Sequence, residues 1–214
     1  MISRFFLWHT LLGLWLSSSA VHAQSQTTSV PQSHSSPAPA FEAEDVNGHP
    51  VSLRAYQGQY VLLSFMRNAG CPVCNLWVHQ LLSRAEDLQR ANITVVLVYE
   101  STQQTMRQYL DQSEPLPFTF VADPDRRLYS LYEVKGSMGK MLNGMFHGAM
   151  SKMKRGKQLF RSPIKQDGRI DTIGADFLID PHGQLLRSHH ERYLGDHLTV
   201  EQLLGQVRPA TAAR

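Results

Sequence analysis

The chain has 214 residues, of which 42% are hydrophobic and 18% are charged, and its formal net charge is +3 at neutral pH. The hydrophobic fraction is sufficient for one folded domain with a core of ordinary size. The charge is too small to indicate nucleic-acid binding, and two cysteines are too few for a disulfide framework. We therefore expect a single domain without a nucleic-acid partner.

The first 23 residues have the pattern of a secretory signal peptide. Arg4 is the only formal charge among them, Phe5–Leu16 is a mostly apolar stretch, and Val21 and Ala23 suit the small-residue cleavage positions. The stretch is shorter than the ~20 apolar residues that span a bilayer, which disfavours an uncleaved anchor. We expect residues 1–23 to be cleaved after export across an inner membrane, and the mature chain to be periplasmic.

Residues 24–40 consist mainly of Ser, Thr, Gln and Pro. Such a segment buries too little apolar surface to offset the entropy lost on ordering. We interpret it as a flexible polar linker. The domain is predicted to span residues 41–207, with a disordered tail at 208–214.

In the first half of the domain, apolar strands alternate with amphipathic helices. A short hairpin with a tight Asn47-Gly48 turn comes first. The predicted elements that follow are a buried strand at Tyr60–Met66, a helix from about Asn75 to Arg90, a fully apolar strand at Ile93–Tyr99 and a helix from Ser101 to about Leu110.

The second half begins after Pro115 and Pro117, which break the preceding helix. The predicted elements are a strand at Phe118–Val121, a short helix capped by Asp123–Asp125, a helical insert at about 136–172, a hairpin over Asp176–Ser188 and a last helix at Thr199–Val207. This order predicts an α/β fold with a mixed central sheet flanked by helices.

Both cysteines lie in one C-x-x-C motif, Cys71-Pro72-Val73-Cys74, between a predicted strand and a predicted helix. A thiolate at a helix N-terminus is stabilised by unpaired N–H groups and by the helix dipole, which lowers the thiol pKa. We predict that Cys71, expected to be the more exposed, attacks, and that Cys74 resolves the mixed disulfide. Pro72 fits the first helical turn, where its missing N–H costs nothing.

A C-x-x-C motif also has other uses in proteins. A static disulfide or a pair of inert thiols is the structural alternative. Structural zinc needs four ligands, and covalent haem attachment needs a histidine where Asn75 stands. We expect neither a metal nor an organic cofactor. Arg67, just before the motif, is either a charge that lowers a cysteine pKa or a solvated loop residue.

The insert is basic and rich in methionine. It has eight Lys and Arg residues between positions 135 and 165 and no Asp or Glu. Its apolar residues recur every three or four positions, which favours core or lid packing with methionine as the pliable filler. They are Met138, Met141, Leu142, Met145, Phe146, Ala149 and Met153.

A surface for a partner, for an apolar substrate or for Cu(I) is the alternative use of these methionines. The basic residues form a solvated face or recruit an acidic partner or an anionic membrane. The alternative function is therefore a copper- or partner-binding module. His189–Glu191 and Asp196-His197 contain metal-ligating residue types, but neighbouring strand side chains point to opposite faces.

The run Ser64–Cys74 resembles the peroxiredoxin-like branch of the thioredoxin fold, the family of alkyl hydroperoxide reductase and thiol-specific antioxidant proteins. Residues 120–129, 177–183 and 193–197 add to the resemblance. It implies a thioredoxin-like fold and a thiol-dependent antioxidant oxidoreductase. It also implies a peroxide substrate or a thiol/disulfide protein partner, and a thioredoxin-like or membrane thiol reductant.

The chain departs from the family at several positions. On the peroxiredoxin pattern P-x-x-x-T-x-x-C, Cys74 would be the reacting cysteine, Cys71 would replace the threonine and Arg67 the proline. The family arginine and the thioredoxin cis-proline are both missing from Ile173–Asp176. The order in which the sulfurs act therefore stays open, and we favour dithiol exchange slightly over peroxide reduction.

Overall fold

The computed structural model describes residues 36–110, 117–159 and 166–207. The predicted signal peptide, most of the predicted linker and the predicted tail at 208–214 lie outside these ranges. Within the described ranges, no helix is both long enough and apolar enough to cross a membrane.

A five-stranded mixed sheet forms the centre of the domain, with strand order β5-β4-β3-β6-β7. Strands β3, β4 and β5 are parallel, and β6 is antiparallel to both β3 and β7. A separate hairpin pairs β1 with β2. The strands are β1 Glu42–Glu44, β2 Pro50–Ser52, β3 Tyr60–Phe65, β4 Ile93–Tyr99, β5 Thr119–Ala122, β6 Ala175–Ile179 and β7 Leu185–His190.

Seven helices are described, besides a 3₁₀ turn at Leu53–Tyr56. They are α1 Pro72–Ser83, α2 Ala85–Arg90, α3 Gln103–Tyr109, α4 Arg127–Leu131, α5 Met138–Phe146, α6 Ala149–Leu159 and α7 Val200–Leu204. The predicted α/β architecture with a mixed central sheet is confirmed.

The sheet separates two apolar cores, because successive side chains of a strand point to opposite faces. On β3, Leu62 packs into the core that contains α1, whereas Val61 and Leu63 pack into the other. Strand β3 is buried on both faces, as expected of a central strand. Its C-terminal end, and the chain that leaves it, are therefore held firmly in place.

The helix predicted at Asn75–Arg90 is two helices, and the first begins earlier, at Pro72. The break falls at Arg84, whose backbone leaves helical geometry (φ −123°, ψ 19°). The Ser83 hydroxyl donates to the Gln80 carbonyl at 2.8 Å, a local bond that competes with the helical ladder. Periodicity continues across the break, so the sequence pattern did not reveal it.

The end of the predicted linker is attached to the domain. The Ala38 N–H donates to the Gly183 carbonyl at 2.9 Å, and the Leu185 N–H donates to the Ser36 carbonyl at 2.8 Å. The Tyr132 hydroxyl donates to the Pro39 carbonyl at 2.7 Å. The linker boundary at residue 40 was therefore wrong, since backbone pairing gives residues 36–40 a stability that their composition does not indicate.

The insert is a helical hairpin, α5–α6, that joins the domain at a narrow base. Gly136 and Thr172 form an isolated antiparallel bridge, and the Ser137 N–H donates to the Asp171 carbonyl at 2.7 Å. The Ser137 hydroxyl caps α5 by accepting from the Lys140 N–H. The base coincides with the predicted limits of the insert, 136–172.

Candidate active site

Strand β3 leads directly to the cysteine pair. The chain leaves the sheet after Phe65, and Pro72 is the first residue of α1, in the predicted first turn. The Asn75 amide donates to the Ala69 carbonyl at 3.2 Å, which fastens the connecting loop to the helix. The motif thus lies at the carboxyl end of a central strand, where open α/β sheets place their chemistry.

Cys71 caps α1 through its sulfur. The Cys74 N–H donates to Cys71 Sγ at 3.4 Å, and Arg67 Nη1 lies 3.9 Å from the same sulfur. The Cys74 side-chain hydrogen bond is the largest influence on the Cys71 thiol, and with the Arg67 charge it outweighs burial and lowers the pKa to about 6. Cys71 is therefore largely thiolate at neutral pH.

Cys74 has the opposite electrostatic environment. Burial raises the pKa of its thiol well above the ordinary value, and the hydrogen bond and negative charge of Cys71 raise it further. The Arg67 backbone N–H donates to Cys74 Sγ at 3.5 Å. The pair thus consists of one thiolate and one protonated thiol, which is the division of charge that attack followed by resolution requires.

Arg67 is buried, so the solvated-loop interpretation was wrong. Its Nη2 donates to the Ile170 carbonyl at 3.0 Å, and its Nε is buried without a described acceptor. Within the described ranges, no carboxylate lies at salt-bridge distance from Arg67. Because no carboxylate pairs with it, its charge acts on the nearby sulfur.

The prediction that Cys71 is the more exposed cysteine was also wrong. The exposed fractions are 1% for Cys71 and 3% for Cys74. Helix α6 packs on the start of α1, so closely that a Cβ atom on Gly156 would lie 1.9 Å from the Pro72 carbonyl oxygen. The insert therefore shields the helix N-terminus that an isolated strand–turn–helix unit would present to solvent.

Sequence analysis missed a charged cluster beneath the motif. Asp176 accepts from the Ser64 hydroxyl at 2.6 Å and lies 3.2 Å from His197 Nδ1, while Glu191 lies 3.0 Å from His197 Nε2. The imidazole stacks on Trp77 of α1 with centroids 5.1 Å apart. An aspartate inside the apolar strand β6 was the available signal, since a buried carboxylate needs a partner.

Carboxylate pairing accounts for two of the histidines that lie beside metal-ligating residue types in the sequence, His197 and His189. Burial alone would lower the pKa of His197, but the carboxylates of Glu191 and Asp176 outweigh it and raise that pKa to about 10. The imidazole is therefore charged and paired at neutral pH. His189 Nε2 lies 3.6 Å from an Asp196 carboxylate oxygen. In the part of the chain that the structure describes, no three His, Cys, Asp or Glu side chains are grouped to hold a metal ion.

The packing interpretation of the insert is correct for only part of its apolar residues. Ala149 is buried, and Met141 and Met153 are half-buried against the core that contains α1. The other four predicted packing residues are exposed: Met138, Leu142, Met145 and Phe146. The hairpin is too thin to bury both of its faces against a single neighbour.

A dithiol at the N-terminus of the helix that follows the central strand defines a thiol-dependent oxidoreductase of the thioredoxin-like fold class. Two solved structures show the same fold. Peroxidoxin BcpB from Mycobacterium tuberculosis matches with a TM-score of 0.58 at 14% identity, covering 80% of this chain and 94% of that one. A Chlorobium tepidum protein described as a thiol:disulfide interchange protein DsbE matches with a TM-score of 0.54 at 21% identity, covering 80% and 96%.

The AhpC/TSA family model matches residues 35–187, so the chain belongs to the AhpC/TSA family. Peroxiredoxin Bcp of Escherichia coli (strain K12) is 26% identical over 148 residues, which are 68% of this chain and 86% of that protein. The predicted family and the thiol-dependent oxidoreductase class are confirmed. The comparisons lend no support to the alternative of a copper-binding module.

Proposed function

We propose that this protein is a dithiol oxidoreductase in which Cys71 attacks and Cys74 resolves. The observation that carries the proposal is the position of Cys71 Sγ, which accepts from the Cys74 N–H and lies beside the Arg67 guanidinium. Both contacts favour the thiolate form of Cys71, whereas at Cys74 burial and the neighbouring Cys71 outweigh the influence of Arg67 and keep the pKa raised. The alignment with peroxiredoxins, which makes Cys74 the reacting residue, is the competing order.

Thiol–disulfide exchange is the reaction we favour. The Cys71 thiolate attacks a substrate disulfide, forms a mixed disulfide and releases one substrate sulfur as a thiolate, which takes up a proton from solvent. Cys74 then loses its proton, attacks Cys71 Sγ and releases the second substrate sulfur as a thiol. The protein dithiol is oxidised by two electrons to a disulfide, and the substrate disulfide is reduced to two thiols.

The second step is assisted by the first. Two of the three effects that raise the Cys74 pKa come from Cys71, namely its hydrogen bond and its negative charge. Both disappear when Cys71 becomes part of a mixed disulfide. The pKa of Cys74 therefore falls at the moment when its thiolate is needed.

Peroxide reduction is the second candidate, favoured by membership of the AhpC/TSA family. The Cys71 thiolate would attack one peroxide oxygen, forming a sulfenic acid and releasing an alkoxide or hydroxide ion, which takes up a proton from solvent to become an alcohol or water. Cys74 would then displace water to form the disulfide. The Arg67 guanidinium, whose Nη1 lies 3.9 Å from the sulfur, would stabilise the departing oxygen.

Trapping with single-cysteine variants tests the order of attack. With a model disulfide substrate, Cys74→Ser is expected to accumulate a mixed disulfide through Cys71, which intact-mass measurement detects. Cys71→Ser is the matched control and is expected to form little adduct at neutral pH. Rapid adduct formation by Cys71→Ser together with an inert Cys74→Ser would reverse the proposed order.

Stopped-flow mixing of the reduced protein with hydrogen peroxide separates the two reactions. A second-order rate constant no larger than that of a free thiol excludes the peroxidase candidate and leaves exchange. A rate constant several orders of magnitude larger, abolished in Cys71→Ser, would make peroxide the substrate.

For the cellular location, we propose the periplasm, on the basis of the signal-like residues 1–23. Exchange chemistry there needs a continuing supply of electrons, which we assign to a thioredoxin-like or membrane thiol reductant. A fusion to a reporter that is active only outside the cytoplasm tests the location. Reporter activity that survives deletion of residues 1–23 would contradict it.

A further inference from the structure

Six large apolar side chains are exposed on the described α5–α6 hairpin, including Leu159 at the end of α6. The other five define its outer face: Met138, Leu142, Met145, Phe146 and Met150. The four on α5 recur at intervals of three or four residues, so they share one side of that helix. Phe146, near the hairpin tip, is 87% exposed. An apolar group of this size on the surface is characteristic of a site that meets another molecule.

The opposite face fixes the orientation of the hairpin. Gly144 lies against Leu194, where an added Cβ would be 3.0 Å from the leucine Cβ, and Gly156 lies against the Pro72 carbonyl. Ala149 is buried between these contacts. Because this small-residue face is already used, the outer face is directed away from the domain.

Positive charge accompanies the apolar side chains. Lys154 and Lys157 follow Met150 at four and seven residues, on the same side of α6, and both are exposed, as is Arg155. Lys140 and Lys152 donate to the backbone carbonyls of Glu191 and Gly195 rather than to carboxylates.

The insert itself supplies no compensating negative charge. Between residues 135 and 165 the sequence contains no Asp or Glu. In the described ranges, no lysine or arginine of the hairpin forms a salt bridge. The positive potential of the outer face is therefore available to a binding partner.

We propose that the outer face of the α5–α6 hairpin docks on an anionic lipid bilayer. The exposed apolar side chains lie on one side of α5 with basic residues beside them, which is the arrangement by which interfacial helices bind a bilayer. Flanking lysines and arginines add the attraction to anionic headgroups. The proposal is independent of whether the dithiol acts on disulfides or on peroxides.

Docking in this way would bring the redox motif to the membrane surface. Helix α6 carries Met150 of the outer face and packs against Pro72 through Gly156. The cysteine motif would then lie against a helix that itself contacts the bilayer. The geometry suits a substrate or reductant held in or on the bilayer.

Vesicle cosedimentation tests the proposal. The chain from residue 24 onward is used, because the described core begins after residue 35 and the apolar segment at 5–16 would bind lipid by itself. We expect binding to phosphatidylcholine vesicles that contain phosphatidylglycerol, weaker binding to phosphatidylcholine alone, and release as salt concentration rises.

Paired variants separate the outer face from the rest of the surface. Phe146→Ser is expected to weaken binding about tenfold, and Leu131→Ser, an exposed leucine on α4, is expected to leave it within twofold. Lys154→Glu is expected to weaken binding at least fivefold. Arg187→Glu, an equal charge change on the exposed surface of β7, should have little effect.

A fluorescence measurement then distinguishes insertion from adsorption. In Phe146→Trp, the new indole is expected to be quenched by brominated acyl chains. The proposal is overturned if the folded protein does not bind anionic vesicles, if Phe146→Ser and Leu131→Ser bind equally well, or if the indole is not quenched. Capture of an acidic protein without vesicle binding would likewise overturn it in favour of a protein-docking surface.

Discussion

Helix α1, which begins directly after Cys71 and contains Cys74, is held by two neighbours through contacts of different kinds. The segment after β7 contacts it through charge: His197 stacks on Trp77 while paired to Asp176 and Glu191. Helix α6 contacts α1 through close backbone packing, because Gly156 lies against Pro72 with no room for a side chain. The first contact depends on protonation, and the second depends only on the absence of a Cβ.

The difference shows two ways of fixing a reactive site. A buried ion cluster is costly to break, because removal of one member leaves the other charges without a partner. A close-packed glycine contact is sensitive to one added methyl but unaffected by pH. The ionic contact lies beneath the helix, and the steric contact lies over its N-terminus, where access to Cys71 is decided.

The largest expected effect comes from breaking the ionic contact. His197→Ala leaves the buried carboxylates of Asp176 and Glu191 facing each other, and we expect a loss of ~3–5 kcal/mol in the free energy of unfolding. Urea denaturation measures the loss. His182→Ala, at an exposed histidine, is the control and should stay within ~0.5 kcal/mol of the parent. An equal loss of unfolding free energy in the two variants would show that His197 does not stabilise the buried carboxylates.

The ionic contact also predicts a pH dependence. The His197 pKa is raised from 6.5 to about 10 on folding, so its stabilisation is complete below pH ~6.5 and is lost as pH rises toward 10. The slope approaches ~1.4 kcal/mol per pH unit. Cys71 has the opposite sign, because its pKa falls from 9.0 to about 6 and its contribution grows between those values.

The histidine slope is therefore best measured in Cys71→Ser, where the opposing contribution is absent. Unfolding free energies from about pH 6.5 to 8.5, below the range in which the raised pKa of the buried Cys74 thiol also contributes, should fall steadily in Cys71→Ser and should be much flatter in Cys71→Ser/His197→Ala. Parallel profiles would show that His197 does not titrate as its surroundings indicate.

Breaking the steric contact is expected to cost less. In Gly156→Ala the added methyl meets the Pro72 backbone, so α6 must shift, at a cost of ~1–3 kcal/mol. The shift is expected to expose Cys71 and to speed its alkylation. Gly139→Ala, on α5, meets nothing nearer than the Ser137 hydroxyl oxygen at 3.9 Å and should be stabilising by ~0.5–1 kcal/mol. Faster Cys71 alkylation in Gly139→Ala, or a Cys71 alkylation rate in Gly156→Ala equal to that of the parent, would contradict this account.

The smallest expected effect concerns the sulfur itself. Arg67→Met removes the charge beside Cys71, and we expect the Cys71 pKa to rise by ~1 unit from about 6, since the Cys74 hydrogen bond remains. The pH dependence of Cys71 alkylation by iodoacetamide, followed on the Cys71 peptide by mass spectrometry with Cys74 in place, measures the shift between the protein with and without Arg67→Met. Arg67→Lys keeps the charge and should move the midpoint less. An unchanged midpoint in Arg67→Met would show that the guanidinium does not act on the sulfur.

Much of the architecture follows from local patterns in the sequence. Short runs rich in β-branched residues, such as Ile93–Tyr99, favour buried strands. The limits of the insert follow because recognisable elements precede and follow it. The break at Arg84 and the attachment of residues 36–40 did not follow, because each depends on hydrogen bonds that periodicity does not report.

The sequence by itself determined that two thiols three residues apart open a helix after a central strand, because strand, turn and helix are specified by neighbouring residues. Tertiary structure decided what surrounds them. Arg67 is brought to Cys71 by the fold of its loop, His197 reaches Trp77 from 120 positions away, and α6 buries the helix start. The physical reason is that burial and charge pairing depend on which distant segments meet, whereas helix and strand formation depend mainly on adjacent residues.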